Sequence, residues 1–156
     1  MRVPQEVAER ITVAVSPAVA YAAVISVRRL VRLSPECFAH WVRAGRDGEV
    51  GQRWIGFNRR GPHVWFTTSE VVIARPAEEF AFDVTVFGQP VSRWGYRFAE
   101  VPGGTEITEY WLDRRSEPAR LMGRRLTGRV SDVRPQANAE GMRTTLTRLK
   151  RHLEPR

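Results

Sequence analysis

In the stretch TEITEYWLDRR, residues 105–115, an acid sits between an isoleucine and a tryptophan. Read as a β-strand, its side chains alternate between two faces. Ile107, Glu109 and Trp111 share one face; Thr108, Tyr110 and Leu112 share the other. If the first face is interior, Glu109 is a carboxylate taken out of water. Desolvation disfavours the charged form and moves the group toward the range useful for general acid or base chemistry. Such a group needs a hydrogen-bonding partner, and Asn58, His40, an arginine or water are the candidates. Ser69, Asn58 and His40 are the polar side chains that a reaction at Glu109 would recruit, with Glu109 and Ser69 as the candidate catalytic pair. Other chemistries find less support. His40, His63 and His152 are scattered without metal-ligand spacing. No glycine-rich phosphate loop follows a strand, since GRDGEVG precedes one and lacks the lysine and helix. Cys37 is the sole cysteine and has no base near it in sequence, so neither a disulfide nor a multi-cysteine metal site is expected.

Those residues have to be positioned by regular elements. ERITVAVS (9–16) alternates as a strand, and Ser16-Pro17 supplies an N-cap with proline at the first helical position. Residues 28–35 form a short helix or an irregular link. Six further strands are expected at 37–43, 51–60, 63–74, 79–87, 91–100 and 105–113. Turn chemistry separates them: GRDGEVG, RRGP, RPAEE, FGQP and PGG. The chain closes with a helix in which Ala139, Met142, Leu146, Leu149 and Leu153 form one apolar stripe. Gly141 inside it suggests close packing, Pro135 should start or kink it, and 118–131 reads as a preceding helical segment carrying Leu121, Met122, Leu126 and Val130. The order implies an α+β fold: a seven-stranded antiparallel sheet curled around a long C-terminal helix, with short helices near the N-terminus, in one domain over 1–156. Such a sheet leaves room for a cavity under the helix.

Charged residues mark the outer face of each strand and so assign the inner one. Glu70 out places Trp65, Thr67, Ser69, Val71 and Ile73 in. Asp83 out places Phe80, Phe82, Val84 and Val86 in. Arg93 and Arg97 out place Trp94, Tyr96 and Phe98 in; Arg53 and Arg59 out place Trp54, Gly56 and Asn58 in. For 37–43 the set Phe38, His40 and Val42 is preferred inward over Cys37, Ala39 and Trp41, because Arg43 belongs to the second set. The aromatic residues alone describe a packed core. Together with Asn58, Thr67, Ser69, Glu109 and His40 they describe a ligand pocket, to which Asn138 and Met142 of the closing helix would add.

Composition limits the partners. The chain has 156 residues with 42% hydrophobic and 27% charged content, which suits a soluble globular domain. No apolar run reaches the length of a membrane helix and no signal pattern opens the chain, so a cytoplasmic protein is expected. The net charge is +8, and all but one of the 25 basic residues are arginine. Nucleic-acid binding is not expected, because no recognition motif accompanies the charge. Segment 114–134 carries seven arginines against Glu117 and Asp132; it is either a solvated face, an interaction surface or a cover for the cavity entrance.

The chain also resembles the START-like, or SRPBCC, superfamily, in its polyketide cyclase/dehydrase group. The resemblance runs from RITVAVSPAVAYAAV to GMRTTLTRLKRHLE and is carried by LSPEC (33–37), VGQRWIGFNRRG (50–61), FAFDV (80–84) and GGTEITEYW (103–111). It implies a helix-grip fold with a deep hydrophobic cavity between helix and sheet. It further implies a hydrophobic small molecule, lipid or polyketide-like, as partner, and no cofactor. Cyclases of the group carry a serine and an arginine two residues apart on a cavity strand. Here Ser69 matches the serine, but Val71 stands where the arginine would be. The group's tryptophan ahead of the second strand is replaced in RLSPEC, and Trp41 matches a later aromatic. The resemblance therefore implies ligand binding first, and cyclase or dehydratase activity as the alternative.

Overall fold

The computed structural model describes residues 6–118, 121 and 134–155. Strand β1 (Glu6–Val13) is followed by helices α1 (Pro17–Val24) and α2 (Val27–Leu33). Six strands come next: β2 (Cys37–Ala44), β3 (Arg53–Arg60), β4 (His63–Arg75), β5 (Glu79–Val86), β6 (Gln89–Val101) and β7 (Gly104–Asp113). Helix α3 (Arg134–Leu153) ends the described chain. The expected segment 118–131 lies almost wholly outside the described residues.

Both short helices begin as serine chemistry directs. Ser16 Oγ accepts from the Val19 amide at 3.3 Å, with Pro17 at the first helical position, and Ser26 Oγ accepts from the Arg29 amide at 3.3 Å. Pro135 sits in the first turn of α3, where its missing N–H costs nothing.

All seven strands pair antiparallel in the order β1-β7-β6-β5-β4-β3-β2. The first and second strands are thus the two edges, and consecutive hairpins join everything from β2 to β7. The chain has a helix-grip fold: one open, curled sheet with α3 lying along its concave side, chiefly against β1.

The concave side divides along the strand direction. At one end it is dry. Val71, Phe80, Phe98 and Ile107 from four strands meet Ala20, Tyr21 and Val24 of α1 and Leu146 and Leu149 of α3. The Tyr21 ring stands edge-on to Phe80 at 6.3 Å and to Phe98 at 5.7 Å between centroids. At the other end the wall is not filled, and the cavity described below opens there.

Three departures from plain alternation alter which residues face inward. A bulge at Val72 shifts β4, so Ala74 rather than Ile73 packs against the core. Two bulges in β2, at Phe38 and Arg43, divide the set expected to point inward. Cys37 pairs with Asn58 and lies on the inner side, whereas Phe38 is 58% exposed and Val42 41%. Finally, Gly141 does not mark a tight crossing. Among the described residues a Cβ there meets only Pro35 Cγ, at 3.7 Å, an ordinary contact. Gly141→Ala is therefore expected to stabilise the protein by about 1 kcal/mol through helix propensity. Urea unfolding that gives an unchanged or lower midpoint would show that the helix needs the glycine.

Candidate functional site

The wet end of the concave side holds a cavity of about 730 Å³. Its walls come from β3 to β7, from the N-terminal half of α3, and from the α2–β2 corner. Each strand contributes by simple alternation: Trp54, Gly56 and Asn58; Trp65, Thr67 and Ser69; Phe82, Val84 and Val86; Ser92, Trp94 and Tyr96; Glu109 and Trp111. Trp54 and Phe82 pack edge to face, 5.1 Å between centroids. Helix α3 presents the adjacent Ala137 and Asn138, then Gly141 and Thr145 three and four residues further on, one face of the helix.

Glu109 lies deep in this wall and is 3% exposed. Its Oε1 accepts a hydrogen bond from the Tyr96 hydroxyl at 2.9 Å. Its Oε2 is buried with no partner. Desolvation pushes the Glu109 carboxyl up to about 8, against the smaller opposing effect of the Tyr96 bond. Burial and the neighbouring carboxyl together hold the Tyr96 hydroxyl well above its ordinary range, so it remains a donor. The partner of Glu109 is thus a tyrosine on the adjacent strand, not the Asn58, His40 or arginine that the sequence suggested. Asn138 faces the cavity from α3; it is 3% exposed, and its Nδ2 is likewise unpartnered.

Several other polar groups of the wall are already engaged. Asn58 Nδ2 donates to the Gly56 carbonyl and to Thr67 Oγ1, both at 3.4 Å. Arg134 forks onto Glu36, one bond being 3.1 Å, and its guanidinium lies 5.4 Å from the Trp65 ring centre. Arg115 chelates Asp113 through bonds of 3.0 and 2.9 Å. Cys37 Sγ donates to the Ala39 carbonyl at 3.4 Å, and burial pushes its thiol up, which leaves it a poor nucleophile.

Of the residues singled out from sequence, the structure brings Trp54, Asn58, Trp65, Thr67, Ser69, Phe82, Trp94, Tyr96, Glu109, Trp111 and Asn138 to one cavity. Two do not reach it. His40 pairs with Gly56 across the β2–β3 edge but is not part of the wall. Met142 is fully buried behind the wall rather than in it. Trp41 is 57% exposed beneath the Arg43 guanidinium, so the aromatic that the resemblance matched lies outside. Val71, at the position of the missing arginine, belongs to the dry core. Ser92 and Thr145 were missed. Both carried a signal: Ser92 is two residues from Trp94, and Thr145 is seven from Asn138.

A curled sheet gripping one helix defines a class of folds, and known structures share it with this chain. The chain has the SRPBCC, polyketide cyclase-like fold. A polyketide cyclase-like protein of Corynebacterium glutamicum is 26% identical, with a TM-score of 0.63 over 98% of this chain and 93% of that one. The di-domain aromatase/cyclase BexL of the BE-7585A biosynthetic pathway superposes with a TM-score of 0.75 at 18% identity; 98% of this chain matches 51% of that one. The major latex-like protein 151 of Panax ginseng gives 0.69 at 10% identity, over 99% of this chain and 100% of that one. No family model matches the sequence, and no curated protein matches it. Among the described residues no cluster of three or more metal-ligating side chains occurs, and no helix is long and apolar enough to cross a membrane.

Proposed function

We propose that this protein binds a hydrophobic, partly oxygenated small molecule, lipid or polyketide-like, in the cavity between sheet and helix. One observation carries the reading: a cavity of about 730 Å³ walled by four tryptophans and edged by a few directed polar groups. That size and lining suit a ligand of several fused rings or a folded chain. The likeness to the aromatase/cyclase BexL and the polyketide cyclase-like protein of C. glutamicum supports the same ligand class.

The wall supplies its own reporters. A panel of polycyclic ketones and acyl chains should quench the fluorescence of Trp54, Trp65, Trp94 and Trp111, and native mass spectrometry should show one ligand per chain. Ser69→Phe, which fills the wall beneath Trp54, should weaken binding at least tenfold while leaving the fold intact. Absence of quenching and of any mass shift across the panel would end this reading.

A second reading has one specific observation behind it. Burial raises the Glu109 carboxyl to about 8, within the range of a working general acid or base. In a cyclase or dehydratase built on this cavity, Glu109 would move the proton while Ser69 and Tyr96 orient the substrate or the acid. Turnover of a polyketide surrogate that vanishes in Glu109→Gln, with binding retained, is the expected signature. Turnover unchanged in that variant removes Glu109 from the mechanism.

A further inference from the structure

Two buried polar atoms on side chains that line the cavity lack a hydrogen-bond partner among the described residues. They are Glu109 Oε2 on β7 and Asn138 Nδ2 on α3, each on a residue 3% exposed. Leaving such groups unpaired costs free energy, and proteins retain them where a ligand or water completes them. An amide nitrogen can only donate. The role of Oε2 depends on where the Glu109 proton resides, and burial favours the neutral acid. With Oε1 accepting from Tyr96, a neutral Glu109 carries its hydrogen on Oε2.

Resting on the binding function proposed above, we infer that the Glu109 carboxyl and the Asn138 amide act as paired hydrogen-bond donors for a carbonyl oxygen of the ligand, so that the cavity selects ketones over both hydrocarbons and amines.

Burial raises the carboxyl to about 8, which favours the neutral acid at pH 7. The charged groups around it leave that assignment standing. Glu9, opposite Glu109 in the β1–β7 register, is paired with Arg143 of α3 at 3.1 Å. Tyr96 of β6 is the donor already described. On the cavity wall Arg134 is committed to Glu36 and Arg115 to Asp113, which places both cations in existing pairs. His63 belongs to the β4 end of the wall.

The test uses three probes on one skeleton: 2-acetylanthracene, its apolar isostere 2-isopropenylanthracene, and 1-(2-anthryl)ethylamine. Binding is followed by tryptophan quenching at pH 7 and pH 9.5. The ketone should bind the wild type at least tenfold tighter than the hydrocarbon or the amine at pH 7. That preference should shrink several-fold at pH 9.5, where Glu109 is ionised. Glu109→Gln keeps a donor and should hold the ketone preference at both pH values. Glu109→Leu and Asn138→Leu should each reduce it, with hydrocarbon affinity retained as proof of an intact cavity. If the hydrocarbon or the amine binds as tightly as the ketone, the donor pair is wrong while the cavity's binding role stands. If none of the three binds, both fall.

Discussion

Glu109→Gln raises stability at pH 9 and flattens the pH dependence of unfolding between pH 5 and 8. In the unfolded chain this carboxyl ionises near its ordinary value of 4.5, while the folded protein holds its proton to about 8. Between those values the native state binds more protons than the unfolded state. Stability from this group is therefore complete below pH 4.5 and is lost as pH rises through 8. Each unit of difference is worth about 1.4 kcal/mol, which sets a ceiling of roughly 5 kcal/mol on the loss. Glutamine keeps the shape, keeps an acceptor for the Tyr96 hydroxyl, and carries no charge to desolvate. Glu79, which hydrogen bonds and guanidinium neighbours hold below the ordinary carboxylate range, contributes in the opposite sense, but its contribution is complete by about pH 5. It does not mask the effect. Urea titrations at pH 5, 7 and 9 would measure it. A variant less stable than the wild type at pH 9 would mean that the carboxylate is stabilised by something more than Tyr96.

Gly95→Ala should destabilise the protein by about 2–4 kcal/mol, a change in core shape that the sheet has no room to absorb. Gly95 and Tyr110 are paired across β6 and β7, and the tyrosine ring lies flat over the glycine on the sheet's outer face. An added methyl would fall within 2.5 Å of the ring's Cε1. Tyr110 would have to swing away. It would abandon the bond from its hydroxyl to Glu79 at 2.7 Å and the Arg97 guanidinium 4.0 Å from its ring centre. The unfolding temperature should fall by roughly 10 °C for a chain of this size. A double-mutant cycle isolates the cause. Once Tyr110→Ala has removed the ring, Gly95→Ala should cost almost nothing more. Additive losses would place the strain in the backbone instead.

Both sites show what could be read from the chain alone. Charges at Glu70, Asp83, Arg93 and Arg97 fixed the phase of three strands, and with it the inward direction of Ser69, Phe82, Trp94 and Tyr96. Phase requires only a period of two and an intolerance of buried charge. It failed where that period is interrupted. The β4 bulge that exchanges Ile73 for Ala74, and the β2 bulges that separate Cys37 from Phe38, leave no mark in hydrophobicity. Depth along the strand was also hidden. Val71 and Ser69 point the same way, yet one is in the dry core and the other on the cavity wall. That boundary is set by where α1 and the C-terminal half of α3 fill space, which periodicity does not report. Met142 was misplaced for the same reason. The Tyr96–Glu109 bond joins neighbours in register, so it could have been found from the correct strand pairing.

The two bulges in β2 also bear on how this chain keeps company with its copies. Among the described residues β2 is an open edge, and it displays Phe38, Trp41 and Val42. A straight strand of that composition would invite another molecule to extend the sheet. Here the ladder is broken at 38 and again at 43, so only the four residues between them keep an unbroken repeat of free backbone groups. The bent edge deprives an incoming strand of a straight template, and Arg43 folded over Trp41 adds a charge against it. The irregularities that hid the strand's phase therefore act as a guard against edge-to-edge aggregation.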